Sequence, residues 1–231
     1  MIPSVALTTT AKRAAELAPL ARAHGLRPVL LPCIEVVPAR ESILEEARRS
    51  AADSDWLLVT SPRTVHYLWP HGHLPDVEVA AVGAGTAAAV TGAGGAVSLL
   101  GASGSVALVS ELVTLVENLT VCFPHGRGAD LSKMRSLEDT ATTVTTWEVY
   151  ATEPMPPALD PVDAVAFGSP SAVEGWSRSR GFAGVAVGAI GETTGAALSD
   201  RGHPADVVAD RPDYEELLER LSASVRDRNR V

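Results

Sequence analysis

The sequence has few cysteines, lysines and aromatic residues. Its 231 residues include two cysteines, and Phe, Trp and Tyr make up only 4% of the chain. Because Cys33 and Cys122 each lie in an apolar run, they predict buried core thiols and argue against a disulfide framework or a metal site. Alanine, valine and leucine must therefore fill the core, which is typical of helices packed on a parallel sheet.

Long hydrophobic runs and an excess of positive charge are also missing. No stretch of 18 apolar residues occurs and no secretory leader follows Met1, so we expect a cytoplasmic protein without membrane contact. The net charge of −9 argues against nucleic acid as a partner. Apart from two lysines the basic residues are arginines, which bind carboxylates in bidentate geometry, although coding bias alone also produces such a composition.

A long internal repeat is the main feature that the sequence does contain. Asp55 and Asp163 are 108 residues apart. The same offset aligns further pairs: Ser61 with Ser169, Pro62 with Pro170, Val79 with Val187, Gly83 with Gly191, Thr86 with Thr194 and Gly94 with Gly202. A period of this length is that of a small domain, so we predict two similar domains.

Strands and helices alternate along the chain, which predicts the α/β class with parallel sheets. The second repeat lacks the first strands of its own sheet, whereas a β-α-β unit at residues 1–31 is left over. We therefore predict two similar doubly wound domains, one discontinuous (residues 1–34 plus 154–231) and one inserted (39–147). Residues 33–38 and 147–153 are expected to form a two-stranded β ladder that joins them, with a cleft between the two sets of carboxyl-end loops.

Several local boundaries are less regular. We expect Ser105 to cap a helix that runs to about Glu117, a short helix over residues 129–137, and a β run over residues 142–150. Asp213 is expected to cap the last helix, with Glu216 completing a capping box.

Each repeat places Ser-Pro directly after an apolar strand. Ser61 and Ser169 can accept a hydrogen bond from the first helical turn, where Pro62 and Pro170 lose no needed donor. Free N–H groups at the carboxyl edge of a sheet form a site for an anion. A single copy is most simply a strand-to-helix corner, but two copies favour anion binding.

Two other patterns are weak. Residues 83–88 fit the G-x-G-x-x-A dinucleotide fingerprint, but no acidic residue stands at the ribose position, and Gly85 corresponds to Thr193 in the repeat. A nucleotide-dependent oxidoreductase is thus the weakest alternative. Residues 66–73 contain three histidines with only Asp76 as a nearby carboxylate, which predicts a solvated loop and no metal site.

Tyr150 closes the β run over residues 147–152. Its phenol either lies at an interface with the hydroxyl in water, or points into the cleft and donates a hydrogen bond to a leaving group. The residues alone leave both interpretations open.

Taken in order, these motifs resemble the uroporphyrinogen-III synthase family. The matching segments run almost end to end: Leu31–Ile34, Thr60–Val65, Ala81–Thr86, Val149–Thr152, Phe167–Val173 and Ile190–Thr194. The chain departs from the family pattern twice. Thr8-Thr9-Thr10 stands where Thr-Arg-Pro is usual, and Ala129 replaces an arginine, for which Arg127 can substitute.

The resemblance implies a lyase of haem biosynthesis that needs no cofactor. Its substrate is expected to be hydroxymethylbilane, a linear tetrapyrrole with eight carboxylates, which would lose its terminal hydroxyl to give an azafulvene cation. The ring would then close with inversion of ring D through a spiro intermediate. Tyr150 is expected to assist loss of the hydroxyl, and the expected substrate-binding residues are Thr8, Ser61, Pro62, Arg63, Thr64, Gly83, Thr86, Gly126, Arg127, Ser169, Pro170, Ser171, Gly191, Thr193 and Thr194.

The same resemblance implies a monomer with a hinge at the ladder and at most a transient contact with the preceding pathway enzyme. Because the net charge opposes an anionic substrate at long range, local donors must dominate its binding. A non-catalytic two-domain binder of a small anion is the principal alternative.

Overall fold

The computed structural model describes residues 2–101, 104–141 and 143–228. The strands are β1 (Ser4–Leu7), β2 (Arg27–Leu30), β3 (Ile34–Pro38), β4 (Trp56–Val59), β5 (Glu78–Val82), β6 (Leu99–Gly101), β7 (Thr120–Gly126), β8 (Thr143–Pro154), β9 (Ala164–Phe167), β10 (Ala186–Ala189) and β11 (Val207–Val208). The helices are α1 (Ala11–Ala23), α2 (Glu41–Ala52), α3 (Pro62–Leu68), α4 (Gly83–Gly92), α5 (Ser105–Val113), α6 (Arg135–Glu138), α7 (Pro170–Ser177), α8 (Glu192–Ser199) and α9 (Tyr214–Arg228).

The strands form two sheets. One has the order β11-β10-β9-β1-β2 with parallel pairing, and the other has the order β3-β8-β7-β4-β5-β6, in which β8 to β6 are parallel. The chain divides into a discontinuous unit, Met1–Val36 with Thr152–Val231, and an inserted unit, Val37–Ala151. Neighbouring strands β3 and β8 each pass from one unit to the other. The predicted class, two α/β domains of which one is discontinuous, is confirmed.

Helices cover both faces of each sheet because both faces of the strands are apolar. In the discontinuous unit, Val5 and Leu7 pack with α1 and α9, whereas Ala6 between them packs with α7 and α8. In the inserted unit, Leu57 faces α2 and α3, and Leu58 faces α5 and α6. This alternation is the doubly wound arrangement that the sequence predicts.

The internal repeat is visible in strand order and in side-chain contacts. The order β6-β5-β4-β7-β8 corresponds to β11-β10-β9-β1-β2. Asp55, just before β4, accepts hydrogen bonds from the backbone N–H and the hydroxyl of Thr120, both at 2.8 Å. Asp163, just before β9, accepts the same two bonds from Ser4 at 2.7 Å. These bonds lower the pKa of both carboxyls.

The predicted boundaries of two helices were wrong. Ser105 is the first residue of α5 rather than its cap, and α5 ends at Val113 rather than near Glu117. The helix expected over residues 129–137 begins two residues later, as a 3-10 turn over Leu131–Met134 that is capped by Asp130. It becomes α-helical only in α6. Strand β8 covers the predicted β run and the predicted ladder strand and ends at Pro154, one residue beyond the expected 153; residue 142 lies outside the described part of the chain.

The cap of the last helix was predicted correctly in part. Asp213 accepts a hydrogen bond from the Glu216 N–H at 2.9 Å. The Glu216 carboxylate instead accepts bonds from the N–H groups of Asp210 and Arg211, at 2.8 and 3.1 Å. These contacts lower the pKa of Glu216 to about 2.

Both cysteines are buried in the core, as predicted. None of the helices in the described ranges is both long and apolar enough to cross a bilayer.

Candidate active site

The candidate residues of the discontinuous unit lie where parallel strands end. Thr8 follows β1, Gly168 and Ser169 follow β9, and Gly191 follows β10. Because these strands are parallel, their carboxyl ends lie on one edge of the sheet, where ligands of open α/β sheets bind.

The two Ser-Pro corners have the caps that the sequence predicts. Ser169 is extended and its hydroxyl accepts a hydrogen bond from the Ala172 N–H at 3.3 Å. Ser61 does the same for the Arg63 N–H at 3.2 Å. Pro62 and Pro170 each open their helix, while Arg63 is exposed and Ser171 half-buried. The hydroxyls of Ser61 and Ser169 are therefore already engaged by the local backbone.

Four of the expected threonines are buried: Thr8, Thr64, Thr86 and Thr194. The Thr8 hydroxyl donates to the Ala166 carbonyl at 2.7 Å, and that of Thr64 donates to the Pro124 carbonyl at 3.5 Å. The first bond joins the residue after β1 to β9, and the second joins α3 to β7. Thr193, in contrast, is exposed. A direct contact between the buried threonines and a ligand stays a prediction.

The glycine-rich turns differ between the two units. Gly83 has a φ of 74°, a left-handed conformation that favours glycine, whereas Gly191 is extended. A Cβ on Gly85 would lie 3.9 Å from Pro62, so the first turns of α3 and α4 are adjacent. Beside Gly191, an open cavity of about 860 Å³ is lined by the first turn of α8, including Thr193 and Thr194, and by residues of the segment after β11.

Tyr214, which the sequence analysis did not single out, lies next to Gly168 at the end of β9. A Cβ on Gly168 would overlap its hydroxyl oxygen, so its ring end occupies the space above that glycine. Burial raises the pKa of the Tyr214 phenol, while a hydrogen bond with the Thr9 side chain and the charge of Arg13 oppose the rise. The one sequence signal for Tyr214 was its position directly after the helix cap Asp213.

Tyr150 lies in the inserted unit, beside the end of β7. His125 pairs with Glu148, but Gly126 pairs with Tyr150, so Val149 is an extra residue in β8. The Tyr150 ring lies against the Gly126 backbone, and its centroid is 5.7 Å from that of Tyr67, with 32° between the ring planes. Tyr67, on α3, also escaped the sequence reasoning because its contact with Tyr150 joins distant parts of the chain.

Arg127 lies next to Tyr150 and forms one hydrogen bond to Tyr150 and one to Glu148. Its backbone N–H donates to the Tyr150 carbonyl at 2.8 Å, and its guanidinium Nε donates to Glu148 at 2.7 Å. Both side chains of this ion pair are exposed, so the pair is weak and an anion can compete for the guanidinium. The structure thus brings Gly126, Arg127 and Tyr150 together.

The three histidines over residues 66–73 form no metal site with neighbouring acidic groups. Within the described ranges, no three His, Cys, Asp or Glu side chains are placed to hold a metal ion. The stretch that fits the dinucleotide fingerprint begins with Gly83 to Thr86, which form the first turn of α4.

Comparison with known proteins identifies relatives over nearly the whole chain. The family model for uroporphyrinogen-III synthase HemD matches residues 15–219. The uroporphyrinogen-III synthetase of Helicobacter pylori has a similar structure, with a TM-score of 0.68, 17% identity, and coverage of 97% of this chain and 100% of that one. A mutant uroporphyrinogen III synthase of Thermus thermophilus is also similar, with a TM-score of 0.59 and 21% sequence identity. The match covers 99% of this chain and 100% of that one. No curated protein matches significantly. At these identities the two structures show the shared fold.

Proposed function

The chain belongs to the uroporphyrinogen-III synthase family, and we propose that it cyclises hydroxymethylbilane to uroporphyrinogen III with the residues described above. The family match confirms the resemblance found in the sequence and makes the chain a lyase of haem biosynthesis. This match over residues 15–219 carries the proposal, because it includes every expected site residue except Thr8.

Tyr150 is proposed to act on the leaving hydroxyl. Its phenol transfers its proton to the terminal hydroxyl of hydroxymethylbilane, which departs as water when the carbon–oxygen bond breaks, and the phenolate takes up the proton that is lost when the product forms. The azafulvene cation that remains is stabilised by the carboxylates of the substrate itself. Ring closure through the spiro intermediate inverts ring D, and loss of one proton completes the product. Little acid–base equipment is required of the protein.

The carboxylates are proposed to bind at the corners of each unit. In the discontinuous unit, exposed Thr193 lies in the first turn of α8 beside the open cavity, and Ser169 caps α7. In the inserted unit, exposed Arg63 and Arg127 supply positive charge, the latter by exchanging Glu148 for a substrate carboxylate. These local donors offset the net charge of −9.

We further propose that the enzyme works as a cytoplasmic monomer, with at most transient contact with the preceding enzyme of the pathway. Sedimentation at increasing protein concentration tests whether the enzyme is a monomer, because a monomer keeps one sedimentation coefficient.

The decisive experiment is turnover of freshly generated hydroxymethylbilane, with the oxidised products separated by isomer. Spontaneous closure gives the type I ring, so predominant type III is expected from the protein. Tyr150→Phe, with an unchanged unfolding temperature, should lower kcat by about 100-fold or more. Type I alone would overturn the proposal and leave an anion-binding protein, whereas tight NAD(H) binding would favour the oxidoreductase alternative.

A further inference from the structure

We propose that Gly126, Tyr67 and the extra residue Val149 are positioning elements that hold the phenol of Tyr150 in its working orientation. This role presupposes the proposed function of Tyr150. The geometry behind it belongs entirely to the inserted unit.

The extra residue in β8 changes the direction of Tyr150. Adjacent residues of a regular strand point to opposite faces of the sheet. Here Trp147, Val149 and Tyr150 all pack against the same apolar cluster, which also contains residues of α2 and α3. A β-bulge at Val149 explains this, because an inserted residue re-aims the side chain that follows it. Without the bulge, Tyr150 faces away from α3.

Backbone bonds on both sides fix the bulge. The Val149 carbonyl accepts a hydrogen bond from the Ala39 N–H at 2.9 Å, directly after β3. The Tyr150 carbonyl accepts one from the Arg127 N–H at 2.8 Å, directly after β7. Since β3 and β7 flank β8 in the sheet, consecutive carbonyls are bound to opposite neighbours.

Gly126 leaves the space that the Tyr150 ring occupies. A Cβ built on Gly126 would lie 2.5 Å from Cε2, 2.7 Å from Cζ and 3.0 Å from the hydroxyl oxygen of Tyr150. Gly126 does not have a left-handed φ, so the backbone itself does not demand glycine there. The ring demands it, as in other cross-strand pairs of an aromatic residue with glycine.

Tyr67 provides an aromatic neighbour on α3. The tilted contact, with centroids 5.7 Å apart, has the geometry of a favourable aromatic pair. Gly126 has no side chain, and the space that it leaves lets it act on the ring of Tyr150, in addition to any contact of its backbone with the substrate. We assign the same indirect role to the ring of Tyr67.

The test measures kcat and KM for Gly126→Ala, Tyr67→Ala and Tyr67→Phe, each alone and combined with Tyr150→Phe. Ordinary contact begins at 3.4 Å, so a methyl group on Gly126 moves the ring by about 1 Å, a misplacement that can cost about 100-fold in kcat. We expect this loss for Gly126→Ala, about 10-fold for Tyr67→Ala and a smaller loss for Tyr67→Phe than for Tyr67→Ala, because phenylalanine keeps the ring. KM should change little.

Epistasis separates positioning from a general structural defect. In the Tyr150→Phe background, Gly126→Ala and Tyr67→Ala should lower kcat no further, because the hydroxyl that they position is gone. Gly101→Ala is the matched control: its Cβ would lie 2.6 Å from Leu108, on the edge strand β6 farthest from β8. It should lower the unfolding temperature without lowering kcat of the folded protein. If Gly126→Ala and Tyr67→Ala lower kcat further in the Tyr150→Phe background, the positioning role is overturned.

A second readout does not depend on activity. With ring-labelled tyrosine, the Tyr150 resonances are assigned by their absence in Tyr150→Phe. Gly126→Ala and Tyr67→Ala should shift these resonances and leave those of Tyr214 unchanged. Unchanged Tyr150 resonances in both variants overturn the inference even if the enzyme is active. Shifted resonances in a protein that forms no type III isomer support the packing and refute the proposed function instead. If Gly126→Ala fails to fold, Tyr67→Ala still decides the outcome.

Discussion

Gly175 in α7 offers a sharp test of how the discontinuous unit is held together. A Cβ at this position would overlap the Cys33 carbonyl oxygen and lie 2.7 Å from that of Met155. These are backbone atoms, and the Cys33 carbonyl already accepts a hydrogen bond from the Met155 N–H at 2.8 Å. Cys33 directly precedes β3 and Met155 directly follows β8. Helix α7 therefore packs on the two points where the chain leaves this unit and returns to it.

Gly175→Ala should destabilise the protein by a calculable amount. Overpacking costs about 1–3 kcal/mol, and disturbing the Cys33–Met155 hydrogen bond adds about 1 kcal/mol. Alanine returns about 1 kcal/mol through its better helix propensity. The expected net loss is about 1–3 kcal/mol, or a fall in Tm of about 2–12 °C for a chain of this size.

Gly195→Ala in α8 is the control for this experiment. Its Cβ would meet only the Val208 side chain, at an ordinary 3.4 Å. Here the propensity gain should dominate, so thermal and urea unfolding followed by circular dichroism should show stability unchanged or raised by up to about 1 kcal/mol. The reasoning is refuted if Gly175→Ala is as stable as the wild type, or if both variants lose the same amount.

Three further outcomes are expected. Hydrogen bonds from Ser4 lower the pKa of Asp163, so their contribution to stability is complete above the pKa of the unfolded chain, near 3.8, and is lost as the pH falls below it. The stability of Asp163→Asn, measured by unfolding curves, should therefore depend less on pH in this acid range, and an unaltered pH dependence would contradict this. Burial raises the pKa of Cys33 to about 12 and also raises that of Cys122, so a thiol reagent should label the two cysteines only as the chain unfolds. Rapid labelling of the native protein would argue against this burial. Ser169→Ala should cost about 1 kcal/mol in urea unfolding through loss of the helix cap, and an unchanged midpoint would show that the cap contributes nothing.

The parts of the fold that were predictable are those with short-range causes. The corner at Ser169 was predictable because its cap and the proline after it act within one helical turn. The duplication was visible because an unbroken offset preserved the aspartates at positions 55 and 163, and the structure gives both the same two hydrogen bonds. Strand alternation likewise predicted the two covered faces of each sheet.

The parts that were not predictable depend on contacts distant in sequence. Regular alternation places Val149 and Tyr150 on opposite faces, and nothing in the β run marks the bulge that brings both to one cluster. The sequence also does not reveal that Gly126 is needed by a ring 24 residues later rather than by its own backbone. The end of α5 was missed because no glycine or proline follows Val113 to mark it.

The paired aspartates also bear on the order in which the chain folds. The bond between Asp55 and Thr120 closes a loop of 65 residues, whereas that between Ser4 and Asp163 spans 159. The difference in the entropic cost of closing the two loops is small, about 1 kcal/mol. The two bonds nevertheless become possible at different times during synthesis. During synthesis the inserted unit is complete once residue 151 has emerged from the ribosome, while β1 lacks its neighbour β9 until residue 167 follows. Until β9 has emerged, β1 therefore presents an unpaired edge that other chains can reach.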